Sequence, residues 1–502
     1  MVVVILAFQG ICIHVNYRKN MLNFIDSITK KVLSVLAIGA AGALVYELII
    51  VPNSPSHFQA ASAKLGFANP RQDEALLKIF YMSGYLNQDE LWKQLYRSQA
   101  FSKPEAVFKQ AIEALHKAGS KKDLSQFDAS RAAKNLFGKT MPHLWEMFGS
   151  RTNTDDVEKL IVYMGQSAFD RQKNQERTEL NHSNWMQEYS TRYMAEARAL
   201  GLIEPTHPDF DKTYTAAMIQ GASRPGFFPR VILLREYLEK KLSVETIVAL
   251  AGNRELWAEI DGISPELLTE LKKASRGEIS LQNIQVVVAS SVPNARAEEG
   301  KEYIQALAKT NGITLDPENP IIERNGRSYP NYQEDNSKLT EYHMALDILK
   351  EVGLKAHKVH DTQAFGEGVA RPDTATTSAS AAKDLVSSII STGNYEGKTF
   401  HILSVSNNPY IERQAIVLQR ATDEAIKASH HEGDFRIVVN GVGFGCKQDV
   451  TAIHSALGAL IAEKHIAAYP SQEEQDFYYS HLQFQGRDND IEVPDMPILG
   501  EG

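Results

Sequence analysis

The chain has 502 residues, 43% of them hydrophobic and 23% charged. That is too long for one ordinary core and too apolar for a disordered chain, so two or more globular domains are expected. With 53 basic against 62 acidic side chains the net charge is -9; no basic excess exists to displace counterions, which argues against a nucleic-acid binder.

Two cysteines, Cys12 and Cys446, exclude a disulfide framework and a four-cysteine zinc site. His430 and His431 are adjacent in a polar turn and do not suit one metal, so no metal site is expected.

At the amino end, residues 2–15 are mostly apolar, and Arg18, Lys19, Lys30 and Lys31 follow. Residues 32–51 form a second apolar stretch, interrupted by Glu47, about the length of a membrane-spanning helix. Lysines before it and none soon after predict a single-pass membrane anchor with the bulk of the chain outside the cytoplasm. Ala41-Gly-Ala43 is a small-x-small pattern, so secretion after signal cleavage is the rival reading, and a buried helix of a soluble protein is a third. Met21 is an alternative start.

Residues 1–52 are therefore read as an anchor or signal segment and 53–69 as a linker. Residues 70–205 carry apolar side chains at three-and-four spacing and are read as a helical domain, a possible docking surface for a protein partner. Residues 206–468 alternate apolar strands with helices, which predicts a Rossmann-like, doubly wound, mainly parallel α/β sheet. Within it, a strand is expected over 284–290, a Pro/Asn-rich loop over 316–336, and a long helix from Leu339 to Val352 capped by Gly353. Residues 469–502 read as an acidic tail.

The most informative stretch is 398–414. Residues 400–405 suit a buried strand; Asn408 suits an N-cap, Pro409 a first helical position and Glu412 the first turn. A polar turn at the carboxyl end of a strand offers free N–H groups to an anion, so Ser406, Asn407, Asn408 and Arg413 are candidate ligand residues. The same residues also make a well-formed turn and nothing more.

Two glycine turns follow earlier strands. Gly221-Ala-Ser223-Arg-Pro-Gly226, with Arg230 early in the next helix, and Gly252-Asn-Arg254 are candidate anion cradles. Neither has dinucleotide-loop spacing, and simple tight turns explain both. Gly441-Val-Gly-Phe-Gly-Cys446 resembles a nucleotide loop but lacks its third glycine. Glu341 opens the long helix and is the one acid nominated for general acid/base work. Asp373, Thr374 and Thr377 open another helix with hydroxyls suited to a phosphate or carboxylate, or to ordinary capping.

In this order the motifs resemble the SanA/YdcF/ElyC-type family of bacterial proteins. The match runs through Met218-Ile-Gln-Gly-Ala-Ser223, Ile247-Val-Ala-Leu-Ala-Gly252, Leu339-Thr-Glu341-Tyr-His-Met-Ala345, Asp373-Thr-Ala-Thr-Thr-Ser378 and Ile402-Leu-Ser-Val-Ser-Asn-Asn-Pro-Tyr-Ile-Glu-Arg413, covering roughly 211–425. The resemblance implies a Rossmann-like domain, often membrane-tethered, associated with envelope and cell-wall maintenance, with S-adenosylmethionine or another nucleotide-like compound as a possible ligand. The departures are Asp373 and Thr377 in place of family asparagines, Tyr410 near the place of a histidine, and a longer loop before Glu341; they put catalysis in doubt. Two functions follow: an anchored α/β protein acting on or binding a small anionic envelope metabolite, and a non-catalytic interaction protein on a degenerate α/β scaffold.

Overall fold

The computed structural model describes residues 6–8, 11–13, 57–67, 70–82, 161–162, 190–286, 294–333, 338–362, 374–445 and 449–468. The chain separates into two compact units, Met1–Pro55 and Ser56–Gly502. In the first, strands β1 (Leu6–Phe8) and β2 (Ile11–Ile13) pair antiparallel, with Ala7 opposite Cys12. The expected anchor at 32–51, the tail at 469–502 and most of the helical stretch lie outside the described residues. No helix among the described residues is long and apolar enough to cross a membrane.

The second unit opens with helices α1 (His57–Lys64), α2 (Pro70–Met82) and α3 (Ser190–Ala199). Its centre is a five-stranded sheet of β3 (Thr213–Ile219), β4 (Ser243–Gly252), β7 (Lys358–Thr362), β8 (Thr399–Asn407) and β9 (Arg436–Phe444). The spatial order is β7-β4-β3-β8-β9, and every pair is parallel. The expected α/β architecture is therefore present as a Rossmann-like sheet.

Between the strands run α4 (Arg224–Glu239), α5 (Ala258–Asp261), α6 (Pro265–Ser275), α7 (Asn294–Thr310), α8 (Glu341–Val352), α9 (Thr374–Ser391) and α10 (Ile411–Ala428), and α11 (Val450–Ala468) follows β9. The strands are apolar on both faces because each face is covered. Ala217 and Ile219 of β3 enter a core with Phe227 and Val231 of α4 and Met344 and Ile348 of α8. Their neighbours Ala216 and Met218 enter a second core with Ala381 of α9 and Leu418 of α10. The period-2 alternation of a strand thus feeds two cores at once.

Local signals explain most boundaries. Thr340, with extended backbone, precedes α8, and Gly353 closes it at φ 71°, a left-handed position that glycine occupies without a Cβ clash. Four expectations need correction. Ile284–Val286, the described part of the expected strand, follows a 3-10 turn (Leu281–Asn283) and joins no sheet. Within the expected loop at 316–336 lies a β-hairpin, β5 (Ile321–Arg324) and β6 (Arg327–Pro330), turned by Asn325 and Gly326 at φ 52° and 71°. Two positive-φ residues are what a tight hairpin turn needs.

Third, Asn408 and Pro409 do not start a helix. The Asn408–Pro409 peptide is cis, the Tyr410 N–H closes the turn on the Asn407 carbonyl at 2.8 Å, and α10 begins at Ile411. Asn408 is committed elsewhere: its N–H donates to the Phe444 carbonyl at 3.0 Å and its side-chain amide to the Glu204 carbonyl. Fourth, Gly441 and Gly443 lie inside β9. A Cβ on Gly443 would stand 2.4 Å from the Ser406 carbonyl oxygen, and one on Gly441 3.0 Å from Ala415 and Ile411 side-chain carbons. These glycines let the first turns of α10 press onto the strand, which is a packing role.

Candidate functional site

In an open parallel sheet, ligands sit outside the carboxyl ends of the strands where the winding direction reverses. Here the chain builds outward from β3 through β4 to β7, then crosses to the other side of β3 for β8 and β9. The reversal falls between β3 and β8. The Gln220 N–H continues the ladder to the Val405 carbonyl at 3.0 Å, and its side-chain amide donates to Ser404 Oγ at 2.9 Å.

Arg230 bridges that reversal from below. Its Nε and Nη2 donate to Asn407 Oδ1 at 2.9 and 2.6 Å, and its Nη1 donates to the Gln220 and Gly221 carbonyls at 2.6 and 3.0 Å. The residue is 2% exposed. A rigid guanidinium fork suits this use, in which one side chain ties the ends of two strands together. Asn407 in turn donates its amide to the Asn408 carbonyl at 2.9 Å, and Ser406 Oγ donates to Gln414 Oε1. These predicted ligand residues meet, but their polar atoms mainly serve one another.

The carboxyl end of β4 holds a buried charge network. Arg254, 3% exposed, donates from Nη1 and Nη2 to the two oxygens of Asp261 at 2.9 and 2.8 Å, and from Nε to Glu341 Oε1 at 2.6 Å. Burial alone lowers the Arg254 pKa, but Asp261 and Glu341 beside it more than reverse this, and the guanidinium is held above its ordinary value. Asp261, fully buried, also accepts the Trp257 N–H at 3.1 Å and the Arg224 N–H at 3.3 Å. Arg224 pairs with Glu299 Oε1 at 2.5 Å and lies 3.5 Å over the Tyr303 ring. Burial pushes the Tyr303 phenol well up, and its hydroxyl donates to Asp347 at 3.1 Å.

Glu341 joins the two strand ends. Its Oε2 accepts the Gly252 N–H at 3.2 Å, and a Cβ added to Gly221 would lie 3.6 Å from the same oxygen and 2.7 Å from the Leu250 carbonyl oxygen. A Cβ at 221 would overlap the Leu250 carbonyl oxygen, so glycine is required there by space. The Glu341 side chain is 13% exposed.

Next to it, among the described residues, the N–H groups of Gly221, Ala222 and Ser223 have no acceptor within the chain. Beyond them α4 has little to offer an anion: the Arg224 N–H is taken by Asp261, Pro225 has none, and the Gly226 and Phe227 N–H groups both reach the Ser223 carbonyl at 2.9 Å. Three consecutive free N–H groups beside a partly open carboxylate form the arrangement with ligand chemistry.

The remaining predicted residues are placed elsewhere. Thr374 and Thr377 open α9, with Thr377 Oγ1 on the Thr374 carbonyl at 3.2 Å, and α9 packs on the opposite face of the sheet from α8 and Glu341. Asp373 lies outside the described residues, as does Cys446. Arg413 on α10 lies 3.7 Å from Glu463 of α11. Outside the predicted set, His360 of β7 lies 3.5 Å from Asp384, and burial pushes its imidazole pKa down. Among the described residues no group of three or more His, Cys, Asp or Glu side chains stands close enough to hold a metal ion.

Asp261, Arg224, Glu299 and Trp257 carry the network, and sequence reasoning passed them over. Arg224 lies inside a quoted glycine turn, but nothing local marks Asp261 or Glu299 as its neighbours. The chain matches no protein-family model, no curated protein and no solved structure.

Proposed function

We propose that this chain is a membrane-anchored, YdcF-like α/β protein that binds a small anionic molecule at the carboxyl ends of β3 and β4, in envelope or cell-wall metabolism. The observation that carries the reading is the row of free N–H groups from Gly221 to Ser223 beside Glu341, next to the reversal of strand order. The N–H row takes the anionic group, and Glu341 accepts a hydroxyl or amine of the same ligand. Glu341 is also the residue nominated for proton transfer, should the ligand be turned over. Phosphorylated metabolites and adenosine compounds, S-adenosylmethionine among them, are the class to test. The anchor rests on the apolar run at 32–51 and its flanking lysines.

A thermal-shift screen against those compounds tests the reading; ligand at a hundred times its dissociation constant adds about 2.7 kcal/mol of stability. A hit at this site is weakened by Ser223→Pro, which removes one N–H at a φ of -59° that proline accepts, and by Glu341→Gln. A hit indifferent to both variants places the ligand elsewhere and overturns the reading.

One observation favours a second reading, a non-catalytic interaction protein on a degenerate scaffold. The arginines that would hold an anion, Arg230 and Arg254, are engaged by Asn407, backbone carbonyls, Asp261 and Glu341. An empty screen together with a protein partner captured through the helical region supports it.

A further inference from the structure

The β5–β6 hairpin stands against the end of the β4 segment in two distinct ways. Its base is fixed by backbone: the Asp316 N–H bonds the Asn331 carbonyl at 2.8 Å, the Asn331 N–H bonds the Pro320 carbonyl at 2.9 Å, and Gln333 reaches Thr314 at 3.1 Å. Its strands are held to the rest of the fold by side chains. Arg324 Nη2 pairs with Glu255 at 2.9 Å, and the Ser328 N–H and Oγ donate to Glu259, the latter at 2.7 Å. Arg327 lies 4.9 Å over the Trp257 ring, and Tyr329 packs 5.8 Å from the same ring.

Trp257 connects this hairpin to the crevice. Arg254 also lies over its ring, at 4.8 Å, and Arg254 is the arginine that holds Glu341. The backbone on either side is shared too: the Leu256 N–H bonds the Leu339 carbonyl and the Glu341 N–H the Arg254 carbonyl, both at 3.0 Å. The contacts therefore run hairpin, Trp257, Arg254, Glu341 without a gap.

We propose that the β5–β6 hairpin is a salt-sensitive strap that holds Trp257, and through it the Arg254–Glu341 pair, in the geometry facing Gly221 and Gly252. Trp257 is a positioning residue in this device. The hairpin reaches this boundary through the partly exposed Arg324–Glu255 ion pair and the Arg327 cation–π contact on Trp257, which salt screens and which open locally before the core does. The strap's consequence for ligand entry rests on the small-molecule reading above; the mechanical coupling does not.

The test is amide hydrogen exchange resolved to single residues in the full chain, comparing wild type with an Arg324→Met/Arg327→Met variant. Exchange at Gly252, Leu256 and Glu341 is expected to quicken about threefold or more, with Gln220 unchanged as the control in the same sheet. Wild type in about 1 M salt, where screening acts within about 3 Å, is expected to move the same three amides in the same direction. A second readout is acrylamide quenching of Trp257 in a chain whose other tryptophans, Trp92, Trp145 and Trp185, are replaced by phenylalanine; quenching is expected to rise in the double-methionine variant. If that background does not fold, exchange on the unaltered chain decides alone. Unchanged exchange at Gly252 and Glu341 in the double variant overturns the proposal, whether or not Trp257 becomes exposed. Quickened exchange with an empty ligand screen supports the strap and removes the small-molecule reading.

Discussion

Asp261→Asn tests the charge network at its most buried point. The carboxylate is fully buried and accepts four N–H groups: two from Arg254 at 2.8 and 2.9 Å, and one each from Trp257 and Arg224 at 3.1 and 3.3 Å. Asparagine keeps the shape but removes the charge and turns one acceptor into a donor facing donors. Breaking a buried ion pair from one side costs about 3–5 kcal/mol. Arg254 retains Glu341 at 2.6 Å, so the lower end applies, and a loss of about 3 kcal/mol is expected. Urea unfolding followed by circular dichroism measures it, with the midpoint shifting and the slope unchanged. Adding Arg254→Met and Glu341→Gln together to the variant should return part of the loss, because Glu341 is the charge Arg254 still pairs with and no unpaired charge then remains. A loss under about 1 kcal/mol, or no recovery in the triple variant, would refute the claim that the network is desolvated and mutually dependent.

Gly443→Ala places a Cβ 2.4 Å from a backbone oxygen of β8 that cannot rotate away, so a loss of about 2–3 kcal/mol is expected in the same assay. Gln419→Ala removes the side-chain amide that donates to the Ile437 carbonyl and accepts the Val439 N–H, at 3.0 and 2.8 Å, along the outer edge of β9. About 1–2 kcal/mol should be lost, and the uncovered edge should raise self-association seen by light scattering. His454, wholly buried and bonded to the Tyr193 hydroxyl at 2.9 Å, has its pKa pushed well down by burial. The folded state keeps this imidazole neutral while the unfolded chain protonates it near pH 6.5, so its contribution is full above that pH and falls as the pH drops toward the folded value. Wild type should lose up to about 1.4 kcal/mol per pH unit from this group below pH 6.5, a slope that His454→Gln removes.

Most of the sheet was legible because strand and helix announce themselves by period. The apolar strand expected ahead of the Gly252 turn is β4, which runs on through Gly252 itself, and the helix expected up to Gly353 is α8, stopped there by a left-handed glycine. The hairpin was legible in part: Asn325-Gly326 is a hairpin turn signal, but the prolines and asparagines around it outweighed two short strands that gain their stability from Trp257 and Glu259. The start of α10 was misread because Asn408-Pro409 is a good cap and first position in isolation. What decides it are the carbonyls of Phe444 and Glu204, 36 and 204 residues away in the chain. Local preference lost to tertiary demand there.

The candidate site shows the same limit more sharply. A sequence reveals that arginines stand beside strand-end turns, but not which acids reach them. Arg254 is charge-compensated by Asp261 and Glu341, and Arg230 has become a clamp between β3 and β8, so neither brings a free positive charge to the crevice. A ligand bound there gains its anion contacts from backbone N–H groups, which carry partial charge and cannot titrate. Affinity built this way should depend strongly on backbone geometry, and on salt chiefly through the hairpin that holds that geometry. That geometry is set at Gly221, where the Leu250 carbonyl leaves no room for a Cβ. The energetic role of the buried network is then to hold Glu341 and the strand ends still around Gly221, which on the proposed reading leaves recognition of the anion to the main chain.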